Sequence, residues 1–236
     1  MLRTIAVAVG LALLAAAPAG GRRAQDSECP ATVASGLAST GSSTQLITVV
    51  AVRATSTSGT ARLWERSDGC WNPVSDAWTA WLGRRGVSTA KREGDRRTPA
   101  GVFGIGRTMY GIAPNPGVRY QYRRIVCGDW WVEDPSSPFY NRFHHVKCGA
   151  TPPFRVTSED LSRSPTAYRH LAVIGYNADP IVPGRGSGIF LHASTGRPTL
   201  GCVSFPLPKL LRTLRWLRPS SVPLIAVGKR ASLAGR

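Results

Sequence analysis

The sequence predicts a mainly β domain carrying one or two helices. Three observations support this: short runs rich in β-branched and aromatic residues, turn signals between them at close spacing, and only one segment with clear helical periodicity. Leu46 to Ala54 is dense in valine, and Ser56-Thr57-Ser58-Gly59 then turns the chain. Thr60 to Ser67 alternates, with Ala61, Leu63 and Glu65 set against Arg62, Trp64 and Arg66, so the two runs read as a hairpin. Asp68-Gly69 is a second turn, and Trp71 to Leu82 keeps strand-like aromatic content. Lys91 to Gly101 is a polar loop marked by Gly and Pro, after which Val102 to Ile105 resumes strand character. Residues 108–165 are rich in prolines and aromatics and read as a long irregular insertion. His170 to Tyr176 and Gly188 to His192 read as buried strands. Lys209 to Leu217 places Leu210, Leu211, Leu214 and Leu217 on one face, a helix that Pro219 stops. Val222 to Val227 is a last strand. There is no internal repeat.

The N-terminus has the form of an export leader. Met1-Leu2-Arg3 is a short positive start, Ile5 to Ala17 is apolar and uncharged, and Ala17-Pro18-Ala19 has the small residues of a cleavage site. The apolar run is shorter than the ~20 residues a membrane-crossing helix needs, although a retained anchor is the alternative reading. Asp26-Ser27-Glu28 before Cys29 is not the small, apolar lead that lipidation requires. The expected organisation is therefore a leader over 1–19, a flexible Ser/Thr/Gly/Ala-rich lead over 20–45, a domain over 46–228 and a tail over 229–236. This places the protein outside the membrane, secreted to a bacterial cell wall or periplasmic space.

Lys and Arg total 30 against 13 Asp and Glu, a net charge of +17, and Arg supplies nearly all of it. Such a surface attracts polyanions. No nucleic-acid motif is present and the arginines are scattered, so anionic wall polymers are the expected partners and nucleic acid is not. No oligomeric state is implied. The five cysteines all follow the leader, in a compartment where disulfides persist, and an odd number leaves at least one thiol unpaired. Cys127 and Cys148 bracket a compact Trp/Pro-rich segment, which suggests a staple. Cys29 and Cys70 can tie the lead to the first strands. That pairing leaves Cys202, but other pairings are open, and a zinc site from Cys127, His144, His145 and Cys148 is a rival.

Chemistry concentrates near the C-terminal end. His192 ends a buried strand, and the loop after it returns to Gly201-Cys202 ahead of a helix. A glycine before a cysteine leaves amide N–H groups free to meet an oxyanion. A thiol of pKa about 8.5 needs a base or a positive field to react near neutrality. His192 is close enough in sequence to be that base, and a helix start beyond Cys202 adds modest help. The bland reading is a small buried cysteine beside a satisfied core histidine. Spacing alone does not choose between the two.

The segments Gly186-Ser187-Gly188-Ile189-Phe190-Leu191-His192 and Pro198-Thr199-Leu200-Gly201-Cys202-Val203-Ser204 resemble the signature of the L,D-transpeptidase catalytic domain (YkuD-like), in the branch with a short His-to-Cys loop. Arg92 to Phe103, Trp131-Val132-Glu133-Asp134-Pro135, Tyr140-Asn141 and Tyr176-Asn177 resemble it too, in the same order from about residue 46 to 228. The resemblance implies a β-sandwich or barrel-like domain and a cysteine acyltransferase needing no metal or organic cofactor. It makes Cys202 the nucleophile, His192 the base, Gly201 and Cys202 the oxyanion donors, and the Ala193 carbonyl the group that orients the imidazole. Tyr176, Asn177, Ser187, Thr199 and Ser204 become candidate substrate contacts. Leu200 replaces a histidine that often precedes the Gly-Cys pair, and Ser204 stands where Arg or Asn is common.

The implied reaction joins peptidoglycan stem peptides in 3→3 cross-links through a thioester. Water as acceptor would make the same site an L,D-carboxypeptidase. A papain-like or NlpC/P60 peptidase fits poorly, since those place the cysteine before the histidine. A non-catalytic wall-binding module would leave Cys202 bridged or unreactive. Asp129, Glu133 and Asp134 form a rare acidic patch, either a solvated turn or a reception site for a cationic amine of the substrate. The Arg92–Thr98 loop reads as electrostatic decoration.

Overall fold

The computed structural model describes Leu2 and residues 29–155 and 157–234. The leader, its cleavage site and the first part of the lead lie outside the described residues.

Fifteen strands are formed: β1 (Gln45–Ala51), β2 (Ser58–Ser67), β3 (Cys70–Pro73), β4 (Trp78–Trp81), β5 (Val87–Ser88), β6 (Thr98–Pro99), β7 (Gly101–Gly111), β8 (Gln121–Arg124), β9 (Asp129–Trp131), β10 (Phe143–His145), β11 (Glu159–Asp160), β12 (Leu171–Ile174), β13 (Phe190–Ala193), β14 (Val203–Phe205) and β15 (Leu224–Lys229). Helix α1 spans Leu207–Trp216 and α2 spans Arg230–Leu233. The main sheet runs β1-β15-β7-β12-β13-β14-β4-β2, and β2 then pairs with β1, so eight strands close into a barrel. Closure removes the free edges that an open sheet would expose. Strands β3 and β8 extend it from β2 and β7.

Alternation decides what fills the barrel. Ile47, Val49, Ala61, Leu63, Leu191, Val203, Phe205, Ile225 and Val227 point inward and form one buried cluster. Each large side chain fully withdrawn from water contributes about 1.5–3 kcal/mol. Helix α1 begins just after Pro206, with Pro208 in its first turn where a missing N–H is harmless. It packs Leu210 and Leu214 onto that cluster and leaves Arg212 and Arg215 in solvent.

On the outer face of β1, β2 and β15, Leu46, Trp64 and Ala226 meet Ala34, Leu37 and Leu233 in a second cluster. Residues 29–44 are therefore docked rather than a free lead, because two apolar side chains and the Cys29–Cys70 disulfide fasten them to β3 and the barrel wall. The second disulfide joins Cys127 to Cys148. Those two sulfurs are unavailable to a metal, which removes the zinc alternative. His144 instead stacks on Phe139, and His145 bonds the buried Asp129 at 2.7 Å.

Two departures concern the middle of the chain. Strand β7 runs to Gly111 rather than ending at Ile105, because its far half pairs with β8 and β12. Its glycines obscure the strand pattern, yet one is required: a Cβ on Gly106 would stand 2.9 Å from the Val173 Cβ. The insertion also contains a small sheet of its own, β10-β9-β11. That sheet leans on the barrel through Trp131, whose ring meets Phe190 edge-on at 5.1 Å.

Candidate active site

Strands β13 and β14 run parallel, with Leu191 opposite Val203 and His192 opposite Ser204. Side chains on facing positions share a side of the sheet, and successive ones alternate. Leu191, Ala193, Val203 and Phe205 therefore enter the barrel core. Phe190, His192, Cys202 and Ser204 fall on the opposite face, where Phe190 and Cys202 cluster with Ile125, Trp131 and Leu161 of the insertion. One pair of strands thus separates packing from chemistry, and it brings the two ends of the His-to-Cys loop side by side.

Cys202 is the free cysteine among the described residues, with 8% of its surface exposed. Its Sγ donates to the Gly188 carbonyl at 3.2 Å and accepts from the Phe190 amide at 3.3 Å. Burial pushes the thiol pKa up, and the negative charge of Glu159 pushes it further; the Phe190 amide and Lys91 act in the opposite sense. His192 is also 8% exposed. Its Nδ1 lies 2.8 Å from the Ala193 carbonyl, a geometry that puts the ring proton on Nδ1 and the lone pair on Nε2. Desolvation pulls its pKa down to about 4, partly opposed by that hydrogen bond. At neutral pH the pair is thus thiol and neutral imidazole. The ring of Tyr168 packs edge-on against His192 at 5.6 Å and against Phe190 at 5.7 Å.

Both residues open into a cleft of about 410 Å³. Its walls include Glu93, Glu133 and Glu159, with Lys91 beside them and Arg96 and Arg197 also lining it. Glu159 pairs with Trp131 across β11 and β9, and Glu133 lies two residues beyond Trp131, past the end of β9. Burial, then the charges of Glu159 and Glu93, raise the Glu133 pKa to about 9, with Lys91 opposing. Burial likewise raises Glu159, offset in part by the Tyr168 hydroxyl. Glu93 accepts hydrogen bonds from Ser187 at 2.7 Å and from the Tyr140 hydroxyl.

The 91–97 loop is organised rather than decorative. Asp95 accepts from Lys91 Nζ at 2.8 Å and from the amides of Arg92 and Arg97, both at 2.9 Å. Burial alone would raise the Asp95 pKa, but these bonds outweigh it and hold the carboxyl below its usual value. Thr98 and Thr199 then grip the Cys202 carbonyl through their hydroxyls, at 3.3 and 2.7 Å.

The remaining residues singled out in the sequence divide. Ser187 and Thr199 line the cleft. Tyr176, Asn177 and Ser204 are not among its lining residues. Tyr176 donates to the Arg185 carbonyl at 2.6 Å and packs on Phe103; Asn177, at φ +50°, clamps the carbonyls of Val182 and Gly186. Ser204 is wholly buried between neighbouring strands, and its hydroxyl has no partner. Gly201 has φ +150°, where a side chain would be strained, but its N–H donates to Thr199 Oγ1 at 3.1 Å. The Cys202 N–H is the amide of that pair with no acceptor among the described residues. No helix start stands behind Cys202, because β14 intervenes and Pro206 delays α1.

Of the acidic patch, only Glu133 reaches the cleft. Asp129 is fully buried against His145 and Arg123, and Asp134 accepts from Ser136 and the Arg155 amide. Lys91, Glu159 and Tyr168 had no individual signal in the sequence. Asn141 had only its place beside Tyr140: its Oδ1 accepts from Trp131 Nε1 at 3.0 Å and from the Gly188 amide at 3.1 Å, which fixes the strand leading to His192.

A buried thiol and an oriented imidazole face one cleft on a closed barrel, the arrangement that cysteine acyl transfer would need. Residues 60–225 match the YkuD family, the L,D-transpeptidase catalytic domain, and the chain belongs to that family. No curated protein and no solved structure shows a significant match to it.

Proposed function

We propose that the protein is a secreted L,D-transpeptidase that uses Cys202 as nucleophile and His192 as base to form 3→3 cross-links in peptidoglycan. The reading rests above all on the outer face of β13 and β14, where Cys202 and His192 open into one cleft with Nδ1 held by the Ala193 carbonyl. Because both groups are neutral at rest, the thiol proton moves to Nε2 as sulfur attacks, rather than before. The attacked carbon is the carbonyl of the third stem residue, a diamino acid. The C–N bond to the terminal D-alanine breaks, His192 returns its proton to the departing amine, and a thioester remains. The free Cys202 N–H faces the oxyanion of each tetrahedral stage. An amine of a neighbouring stem then attacks the thioester, and the thiol is restored. One amide replaces another, so no ATP is needed.

Intact mass after incubation with a disaccharide tetrapeptide tests this. The expected result is an adduct lacking the terminal alanine, present in the wild type and absent in Cys202→Ala. Absence of any adduct, with Cys202 inert to alkylation in the unfolded protein as well, would refute the enzyme reading. Release of free alanine with no cross-linked dimer would instead make water the acceptor, and the protein a carboxypeptidase.

A further inference from the structure

The cleft has a sign opposite to that of the chain. In a protein of net charge +17, three carboxyls, Glu93, Glu133 and Glu159, line the cavity that holds Cys202 and His192. None of the three forms a salt bridge among the described residues, and the one buried cation beside them, Lys91, is bound to Asp95. Carboxyls withdrawn from water without a cation take up either a proton or a cationic partner. The exposed charged members of the lining, Arg96 and Arg197, are basic, so the charge of the cleft is acidic within and basic at its edge. Among the described residues no group of three His, Cys, Asp or Glu converges closely enough to hold a metal ion, so the space suits a larger, organic cation.

Two further observations tie this acidity to the reacting sulfur. A Cβ on Gly188 would stand 2.3 Å from Glu133 Oε1, so the Glu133 carboxyl lies directly over the glycine whose carbonyl accepts the Cys202 thiol. Independently of the carboxyls, His192 is more than nine-tenths buried and lines the same cavity, with no protein partner on Nε2. The cavity therefore offers reacting groups and carboxyls to a single occupant.

Resting on the transpeptidase reading, we infer that Glu133 and Glu159, with Glu93 behind them, are specificity-determining residues that bind the side-chain ammonium of the diamino acid in the substrate. The ammonium occupies the acidic interior, and the substrate carboxylate lies toward Arg96 and Arg197. Because Glu133 holds a proton at rest, docking of the ammonium expels it, and binding releases close to one proton.

The test uses the full mature chain carrying Cys202→Ala and two tetrapeptides, one with the side-chain amine free and one with it acetylated. Titration calorimetry in two buffers of different ionisation enthalpy reads both affinity and protons released. The free amine is expected to bind roughly ten- to a hundredfold more tightly. That preference and the proton release are expected to fall away in Glu133→Gln, and the preference to weaken in Glu159→Gln, which serves if the first variant fails to fold. Equal binding of the two peptides, or a preference untouched by both substitutions, would overturn the inference. In either case thioester formation by the wild type would leave the transpeptidase reading intact. Neither peptide binding and neither acylating Cys202 would overturn both.

Discussion

Replacing Glu133 by Gln should make the protein more tolerant of mild alkali. In the folded chain burial and the nearby Glu159 and Glu93 hold the Glu133 pKa at about 9, against an ordinary value of 4.5. Between those values the folded state keeps a proton that the unfolded state has released. Raising the pH therefore favours unfolding, and the contribution is lost progressively up to pH 9, by at most about 1.4 kcal/mol per pH unit. His192 works in another window. Its pKa is about 4 when folded, so it withdraws stability as pH falls from 6.5 to 4 and is silent above that range. From pH 6.5 to 8.5 the Glu133 effect stands clear of it and reaches up to about 3 kcal/mol. For a domain of this size that is a fall of roughly 5–10 °C in melting temperature. Thermal melts at pH 6.5, 7.5 and 8.5, in a Cys202→Ala background, compare the parent with Glu133→Gln. Subtraction removes the slope from other groups, including Glu159, whose pKa is also raised. The gap between the two proteins should widen with pH. Parallel melting curves across the three pH values would refute the placement of a protonated carboxyl in the cleft.

Alkylation of Cys202 in the free protein should be slow at pH 7.5 and still climbing at pH 9, since burial and Glu159 raise the thiol pKa; a rate plateau near pH 7 would contradict a neutral resting pair. Replacing Cys127 and Cys148 together by Ser should lower stability by about 3 kcal/mol, the loop-closure value for a separation of 21 residues, measurable by denaturant unfolding. Phe205→Ala should cost about 3–5 kcal/mol, because this ring is fully buried in the barrel and meets Trp78 edge-on at 5.2 Å; a loss under 1 kcal/mol would mean that the barrel interior repacks freely.

The barrel was legible where strands are long and the pattern repeats, as in β1, β2 and β15, and so was α1 with its leucine face. The small sheet was not, because β9, β10 and β11 have two or three residues each and cannot display a period of two. Docking of residues 29–44 was hidden for a related reason. Ala34 and Leu37 are a weak signal in a Ser/Gly/Thr-rich stretch, and their anchor is a covalent bond to Cys70. Cys202 and His192 lie within one short sequence motif and could be proposed together. The groups that set their electrostatics come from elsewhere: Lys91 and Glu93 from a loop, Glu133 from the segment after β9, Glu159 from β11, Tyr168 from a turn. Only tertiary packing puts them in one cavity. Tyr176 and Asn177 show the converse, since residues of the same family resemblance can serve the backbone instead, while the buried Ser204 hydroxyl bonds to nothing among the described residues.

The neutral resting pair has a consequence for the thiol itself. Thiolates, not thiols, are oxidised and alkylated, so a sulfur kept protonated by burial and by Glu159 is protected against both. The same environment makes it a poor nucleophile, and the field of Lys91 alone does not reverse that. What can reverse it is a positive charge brought into the cavity. An ammonium paired with the Glu159 carboxylate would cancel part of the field that disfavours the anion, whereas exchange for the Glu133 proton leaves the net charge unchanged. A cleft that took a cationic substrate would thus react when filled and resist chemistry when empty. Alkylation of Cys202 in the presence of a small alkyl-diamine, compared with the corresponding mono-amine, would measure that coupling directly.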